Sequence, residues 1–287
     1  MQPISKAWLS HIDITNHCGK NCVYCTRYDR HLSPLKKYHM SIGEFSVAVY
    51  SYIGWPNKIG IMGGEPLLHP EFDLLCEILL LSFPKKKNVL FTAIDPERAK
   101  WRESIQETFG CIEYHPHTKD QESKWEHQPI TIAISDVVKD RTLRDALIDD
   151  CWVQRKWCPT VTNDGAYFCE VAASLGKLLG TKGWPVTPEW WKTKPEDFGY
   201  QKALCQLCGM AIPMSRQSMS NKKELISPKF MKLLFNLQYP VGDYEIFDRE
   251  ITVREMKDAL PDWKPGCYRD KQINETFQYS TIDWSRF

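Results

Sequence analysis

The sequence lacks a long apolar run and a recognisable secretion signal. Its longest apolar stretch, residues 72–83, contains Asp73 and Glu77 and is shorter than the roughly 20 residues that a membrane-spanning helix needs. The first residues lead into a strand-like segment, without the apolar core and cleavage site of a signal peptide. These absences predict a cytoplasmic protein that does not cross a membrane.

The chain also lacks an excess of charge of either sign. Its 37 Lys and Arg residues and 36 Asp and Glu residues leave a formal net charge of +1. Such a balance provides no long-range attraction to nucleic acid or to an anionic membrane, and it argues weakly against a nucleic-acid substrate. The 287 residues are enough for one large domain with a smaller appendage.

Histidine is absent from the second half of the chain, because all eight histidines lie at or before His127. A zinc site built there from local cysteine and histidine ligands is therefore excluded, and so is a local Ser–His pair. Cysteine, by contrast, is plentiful, with 11 residues. In a cytoplasmic protein, cysteines in such number favour metal binding or catalysis over disulfides.

The cysteines fall into two groups and four separate residues. The first group is Cys18, Cys22 and Cys25, and the second is Cys158, Cys169, Cys205 and Cys208. The others are Cys76, Cys111, Cys151 and Cys267.

Strand-like and helix-like segments alternate over the first 150 residues. The predicted strands cover residues 7–15, 58–62, 88–93, 111–115 and 130–135, and the predicted helices cover 41–53, 71–83, 95–109 and 140–150. This alternation predicts an α/β fold with a parallel sheet or barrel. Catalytic groups then belong in loops at the carboxyl ends of the strands, where "CGKNCVYC" (18–25) and "GGEP" (63–66) both lie.

The second half of the chain has a different pattern. Residues 158–169 predict a hairpin with an Asn-Asp-Gly turn, residues 170–180 predict a helix, and residues 200–210 resemble another helix. We therefore predict three segments: 1–150, a cysteine-rich module at 151–214, and a C-terminal segment at 215–287 that packs on the first and helps to form the substrate site.

Thiolates bind zinc or iron–sulfur clusters. A structural zinc site needs four ligands, and the first group has three, although His11 or His17 could complete a Cys₃His site. Alternatively, the three thiolates hold a 4Fe–4S cluster with one iron left open, as catalytic metal sites keep a free position. The four thiols of the second group could enclose a cluster or a zinc ion.

The first group resembles the signature of the radical S-adenosylmethionine (SAM) superfamily, with its C-x₃-C-x₂-C spacing, Tyr24 before the last cysteine and "GGEP" after the second strand. The resemblance covers about residues 7–150. It implies a partial (β/α)₆ barrel, a 4Fe–4S cluster with an open iron, SAM as cofactor, and a reductant such as flavodoxin or ferredoxin. It also implies that one-electron cleavage of SAM yields a 5′-deoxyadenosyl radical, which abstracts hydrogen from a C–H bond.

The resemblance also implies roles for individual residues. Gly63, Gly64, Glu65 and Pro66 would form the site for the SAM amino group, the two glycines permitting close backbone approach. Tyr24 would lie near the adenine, and Thr92 and Ser135 would contact the ribose or carboxylate. The alternative for these two hydroxyls is a hydrogen bond to local backbone.

The second group, with "NDGAYFC" (163–169), resembles the auxiliary-cluster module called SPASM or, in its one-cluster form, Twitch. This implies that Cys158, Cys169, Cys205 and Cys208 hold a second 4Fe–4S cluster. Cys151 lies seven residues before Cys158 and could replace it, and a zinc site remains an alternative.

The small Twitch enzymes that the chain resembles act on aminoglycoside precursors and sugars, which implies a small polar substrate, a sugar or an aminocyclitol. Neither the leader-binding domain of peptide-modifying relatives nor the cobalamin domain of methylating relatives is expected.

An epimerase returns a hydrogen atom to the opposite face of the substrate, and Cys267 in "DWKPGCYRD" is the candidate donor; the alternative is a passive loop cysteine. A dehydrogenase instead passes an electron to the auxiliary cluster.

We favour epimerisation over dehydrogenation. Radical modification of a nucleoside, DNA base or peptide residue is a third hypothesis. A fourth is an iron–sulfur or zinc protein that performs no SAM chemistry.

Overall fold

The computed structural model describes residues 1–116, 126–156, 159–215, 217–218, 223–239, 241–263 and 277–287. In these ranges the strands are β1 (Leu9–Thr15), β2 (Lys58–Gly63), β3 (Asn88–Thr92), β4 (Cys111–Tyr114), β5 (Glu126–His127), β6 (Thr160–Thr162), β7 (Gly165–Tyr167), β8 (Gln217–Ser218), β9 (Glu224–Ile226) and β10 (Tyr244–Ile246). The helices are α1 (Ile42–Ser51), α2 (Phe72–Ser82), α3 (Arg102–Thr108), α4 (Ile134–Val137), α5 (Arg141–Asp149), α6 (Trp152–Lys156), α7 (Glu170–Leu179), α8 (Gly199–Ala203), α9 (Pro228–Asn236) and α10 (Val253–Ala259). None of these helices could span a membrane.

A six-stranded sheet forms the centre of the fold, in the order β4-β3-β2-β1-β6-β7. Every neighbouring pair is parallel except the β6–β7 hairpin. In this register Ile12 of β1 lies opposite Ile61 of β2 and Val161 of β6. The predicted α/β class with parallel strands is confirmed, and the carboxyl ends of β1, β2, β3 and β6 lie along one edge of the sheet.

The two faces of β1 have different surroundings, although all seven of its residues are buried. The hydroxyl of Ser10 lies 2.5 Å from that of Tyr52, which follows α1, so α1 covers this face. The next residue points to the opposite face. There the ring of His11 packs edge-on against Phe91 of β3, and its Nδ1 lies 3.4 Å from Glu170 at the start of α7.

The helix α1 begins as its sequence predicts. The backbone N–H of Glu44 donates to Ser41 Oγ at 3.2 Å, and the backbone N–H of Ser41 donates to the Glu44 carboxylate at 2.7 Å. This capping box satisfies two backbone donors that have no partner inside the helix. The predicted helix at 95–109 is confirmed only over α3, because Asp95 accepts from Glu97 N–H in a separate turn before it.

The predicted strand at 130–135 is wrong. Residues 130–133 form a turn, and α4 begins at Ile134. Segments beyond residue 200 provide the hydrogen-bond partners of this stretch: Thr131 O accepts from Ser227 N–H at 3.1 Å, and Ile130 O accepts from Gly209 N–H at 3.2 Å. Its alternating isoleucines are fully buried, so they match a strand pattern, but the backbone bonds to loops and not to a neighbouring strand.

The predicted hairpin of the second half is confirmed by β6 and β7, and the helix that follows it by α7. Because β6 pairs with β1, the cysteine-rich segment shares the sheet of the first 150 residues. The helix expected at 200–210 is divided into α8 and a short 3₁₀ turn, Leu204–Leu207.

Candidate functional site

The two motifs, "CGKNCVYC" and "GGEP", meet at the carboxyl ends of β1 and β2. Gly64 N–H donates to Thr15 O, and Glu65 N–H donates to His17 O, both at 2.8 Å. His17 is the residue directly before Cys18. The end of β2 is therefore hydrogen-bonded to the backbone directly before Cys18.

Both glycines of "GGEP" are required by this close approach. Gly63 has φ 140°, a conformation that side chains disfavour, and a Cβ there would overlap Thr15 O. A Cβ on Gly64 would overlap His17 O and lie 2.7 Å from the His17 carbonyl carbon. A larger residue at either position would push the two motifs apart.

Glu65 holds the motif to the neighbouring strand. Its carboxylate accepts from Thr92 Oγ1 at 2.7 Å, from Ala93 N–H at 2.8 Å and from Leu67 N–H at 3.2 Å. Burial raises the pKa of Glu65, and these hydrogen bonds partly oppose the rise. The structure thus brings Thr92 next to "GGEP", where its hydroxyl bonds to the motif itself.

Tyr24 and Tyr28 anchor the loop that contains the first cysteines. Both are buried, and both have a positive φ, 57° and 51°. Such backbone is costly for a side chain of this size and is kept only where the surroundings fix it. The Tyr24 hydroxyl accepts from Leu225 N–H at 2.7 Å, and the Tyr28 hydroxyl donates to Ile130 O at 3.2 Å. The loop is therefore fixed to β9, through Leu225, and to the turn that contains Ile130.

The three thiols of the first group are half-buried in this loop. Burial raises the pKa of Cys18 and of Cys25, and hydrogen bonds from backbone N–H groups oppose the rise at both. One of these donors is Lys20 N–H, 3.4 Å from Cys18 Sγ. Peptide donors directed at sulfur suit a thiolate bound to iron.

The histidines considered as zinc ligands lie in other contacts. His17 stacks on His39, with ring centroids 4.2 Å apart, and His11 packs against Phe91. Across the part of the chain that the structure describes, no three His, Cys, Asp or Glu side chains are arranged to share one metal ion. Thiolates of a 4Fe–4S cluster bind different irons and so lie further apart than the ligands of a single ion.

Four thiols of the second half line one cavity: Cys151, Cys169, Cys205 and Cys208. Its other walls are apolar apart from Gln154. Burial raises the pKa of each thiol, and Met210 N–H donates to Cys208 Sγ at 3.4 Å. The donor set, four thiols with no other ligand type, fits an iron–sulfur cluster. A single zinc ion fits less well, because no three of the described thiols are arranged to share one ion. The cavity thus contains Cys151 at the place in the set of four that the sequence assigned to Cys158.

Three predicted residues require separate comment. Cys158 and Cys267 lie outside the described residues. Ser135 lies in α4 and not at a strand end, and its Oγ accepts from Lys229 Nζ at 2.9 Å.

Sequence reasoning missed a buried network of charged side chains beside both cysteine groups. Arg27 donates through Nη2 to Asp13 Oδ1 at 3.2 Å, its Nε lies 2.9 Å from Asp13 Oδ2, and its Nη1 donates to Glu170 Oε2 at 2.6 Å. Burial would raise the pKa of Glu170, but Arg27 and His11 outweigh it and lower the pKa to about 2. The sequence did contain one indication of this network, the closeness of its members to the cysteines: Arg27 follows Cys25 by two residues, and Glu170 directly follows Cys169.

Comparisons with known proteins give little independent support for any family assignment. No family model and no curated protein matches the chain. Two of the solved structures that align with it are of BtrN, one in complex with AdoMet and 2-DOIA and one in an open conformation, each at 13% identity. The first covers 57% of this chain and 74% of BtrN with a TM-score of 0.35, and the second covers 71% and 87% with a TM-score of 0.39. Similarities at these scores carry no functional argument.

Proposed function

We propose that the chain is a radical SAM enzyme, with Cys18, Cys22 and Cys25 holding a 4Fe–4S cluster that has one open iron. The observation that carries the proposal is the pair of hydrogen bonds that joins "GGEP" to residues 15–17 at the carboxyl edge of a parallel sheet. A cysteine loop and a glycine-lined backbone thereby form one site, although about 40 residues separate them in sequence. When bound, the cluster and SAM supply one-electron cleavage and a 5′-deoxyadenosyl radical.

The residues of the chain would bind and orient these groups. Gly63 and Gly64 let "GGEP" lie directly against the backbone of residues 15–17, and Glu65 fixes the motif to β3 through Thr92. Tyr24 anchors the loop, because its hydroxyl accepts a hydrogen bond from Leu225 N–H. Rigid support of this kind is what precise positioning of a reacting group requires.

We further propose that Cys151, Cys169, Cys205 and Cys208 hold a second 4Fe–4S cluster. The shared cavity supports this set, with Cys151 in place of Cys158. Because all four ligands would come from the protein, this cluster has no open iron and suits electron transfer or structural support.

For the reaction, we propose hydrogen abstraction from a small polar substrate, a sugar or an aminocyclitol, followed by epimerisation with Cys267 as hydrogen donor. Dehydrogenation is the second candidate, favoured by the four-thiol cavity, because a cluster held there could accept the electron that the substrate radical loses together with a proton. In D₂O the epimerase places solvent deuterium in the inverted product, and Cys267→Ala abolishes this. A dehydrogenase gives a product two mass units lighter, whatever residue stands at position 267.

The test of the proposed function is SAM cleavage. The protein is reconstituted with iron and sulfide under anaerobic conditions, reduced with dithionite and given SAM, and 5′-deoxyadenosine is measured. We expect its formation by the parent and by Cys111→Ala, a matched cysteine outside both groups, and none by Cys22→Ala. A colourless, zinc-loaded parent that forms no 5′-deoxyadenosine would overturn the proposal and favour a zinc-binding protein.

A further inference from the structure

Helix α7 begins directly after Cys169 and is held at both ends by the loop that contains the first cysteines. We call residues 16–40 the cysteine loop. At the start of α7, Arg27 of this loop binds the Glu170 carboxylate. At its end, Lys36 Nζ donates to the backbone oxygens of Lys177 and Leu178, at 3.1 and 3.3 Å. The last carbonyls of a helix have no partner within it, and Lys36 bonds to these two beside Gly180 N–H on Lys177 O and the Tyr239 hydroxyl on Leu178 O.

The two attachments differ in kind. Lys36 is partly exposed; it donates to backbone oxygens and lies 5.6 Å from the centroid of the Tyr239 ring. Arg27, Asp13 and Glu170, by contrast, are all buried side chains that pair with one another. The guanidinium makes a two-pronged contact with Asp13 of β1 and a separate bond to Glu170. Charge-assisted bonds of this geometry are directional. Removing the cation would leave the buried Asp13 carboxylate without its ion-pair partner and Glu170 with only the neighbouring His11.

We infer that Arg27 is a positioning residue that holds the first turn of α7, and with it Cys169, in a fixed place relative to Cys25 and β1. The inference deepens the proposed function and rests on it for the meaning of the two thiol sites. Its consequence is that the second site depends on a residue from the loop of the first. Arg27 also places a positive charge beside Glu170, the residue next to Cys169, which is a proposed ligand of the second cluster.

Hydrogen exchange by mass spectrometry on the full chain tests the positioning, with or without metal. Arg27→Gln should speed exchange in the first turn of α7 by about 10-fold to 100-fold, as expected for loss of a charge-assisted hydrogen bond. Lys36→Met is the matched control and should speed exchange in the last turn of α7 instead. Unchanged first-turn exchange in Arg27→Gln would overturn the inference, and so would an equal rise in both turns and in α1, which indicates general destabilisation.

A second variant, which keeps one ion pair, tests the inference even if Arg27→Gln does not fold. Glu170→Gln leaves Arg27 paired with Asp13, and it should also speed exchange in the first turn and not in the last. First-turn exchange equal to that of the parent would contradict the inference.

The reduction potential of the second cluster provides a readout that a merely structural role would not move. It is measured in the full chain with Cys18, Cys22 and Cys25 all changed to Ala, so that only the second site can hold a cluster. Arg27→Gln should lower the potential because it removes a positive charge near Cys169, and Arg27→Lys should keep the parent value. An unchanged potential in Arg27→Gln contradicts the inference. A second site that binds no iron overturns the proposed second cluster, while the exchange experiment still decides the role of Arg27.

Discussion

The two cysteine sites are built in opposite ways. The first comes from eight consecutive residues after one strand and lies beside a glycine-lined backbone. The second is gathered from several elements between residues 151 and 208, around a cavity with mostly apolar walls. A site made from one loop leaves room for a ligand that the protein does not supply, whereas a site enclosed by several elements supplies all its own ligands. The difference predicts an open first site and a closed second site.

The largest effect is expected from a single methyl group that pushes the two motifs of the first site apart. In Gly64→Ala the new Cβ would collide with the His17 carbonyl and displace "GGEP" from the cysteine loop. A displacement of about 1 Å costs on the order of 100-fold in rate, so SAM cleavage should fall by about that factor. Gly43→Ala is the control, because a Cβ at Gly43 in α1 meets nothing within 4 Å. Equal activity of the two variants would show that the close approach at Gly64 is not needed for SAM cleavage.

A smaller effect should identify the ligands of the second site. Cys151→Ala should lower the iron content from about eight to about four atoms per chain, since it removes one of the four ligands that share the cavity. The first site should still cleave SAM. Cys158→Ala is the matched variant and should keep the parent iron content; the reverse result would assign the ligand to Cys158.

The smallest effect concerns one carboxylate from each region, Glu65 beside the first site and Glu170 beside the second. Burial raises the pKa of Glu65 above its ordinary value of 4.5, while Arg27 and His11 lower that of Glu170 to about 2 despite its burial. Glu170 therefore contributes stability above pH 4.5 that is lost as the pH falls from 4.5 towards 2. The contribution of Glu65 to stability changes with pH in the opposite direction, since stability is lost as the pH rises through 4.5 towards its raised pKa.

Urea unfolding at about pH 3 and pH 7 measures this difference. Relative to the parent, Glu170→Gln should lose more stability at the higher pH. Glu65→Gln should instead gain on the parent as the pH rises. Slopes of the same sign in both variants would contradict the assigned environments.

The sequence was sufficient where local patterns decide the structure. The strand before Cys18, the helix that starts after Ser41 and the Asn-Asp-Gly hairpin were all predicted, because neighbouring residues determine them. It failed at 130–135, where hydrogen bonds from residues beyond 200 override the strand pattern.

Tertiary pairing also explains what was missed at the sites. The pairing of Arg27 with Glu170 joins residues 143 positions apart, so no local pattern reveals it. Spacing left the choice between Cys151 and Cys158 open, since the two cysteines lie only seven residues apart and both come before the hairpin turn.

The most direct test of the contrast between an open and a closed site is electron paramagnetic resonance of the reduced protein with and without SAM. Two variants of the full chain are compared. One lacks Cys18, Cys22 and Cys25, and the other lacks Cys169, Cys205 and Cys208. Addition of SAM should change the signal of the variant that keeps the first group and leave the other unchanged. A signal from the first group that ignores SAM, or one from the second that responds to it, would contradict the account.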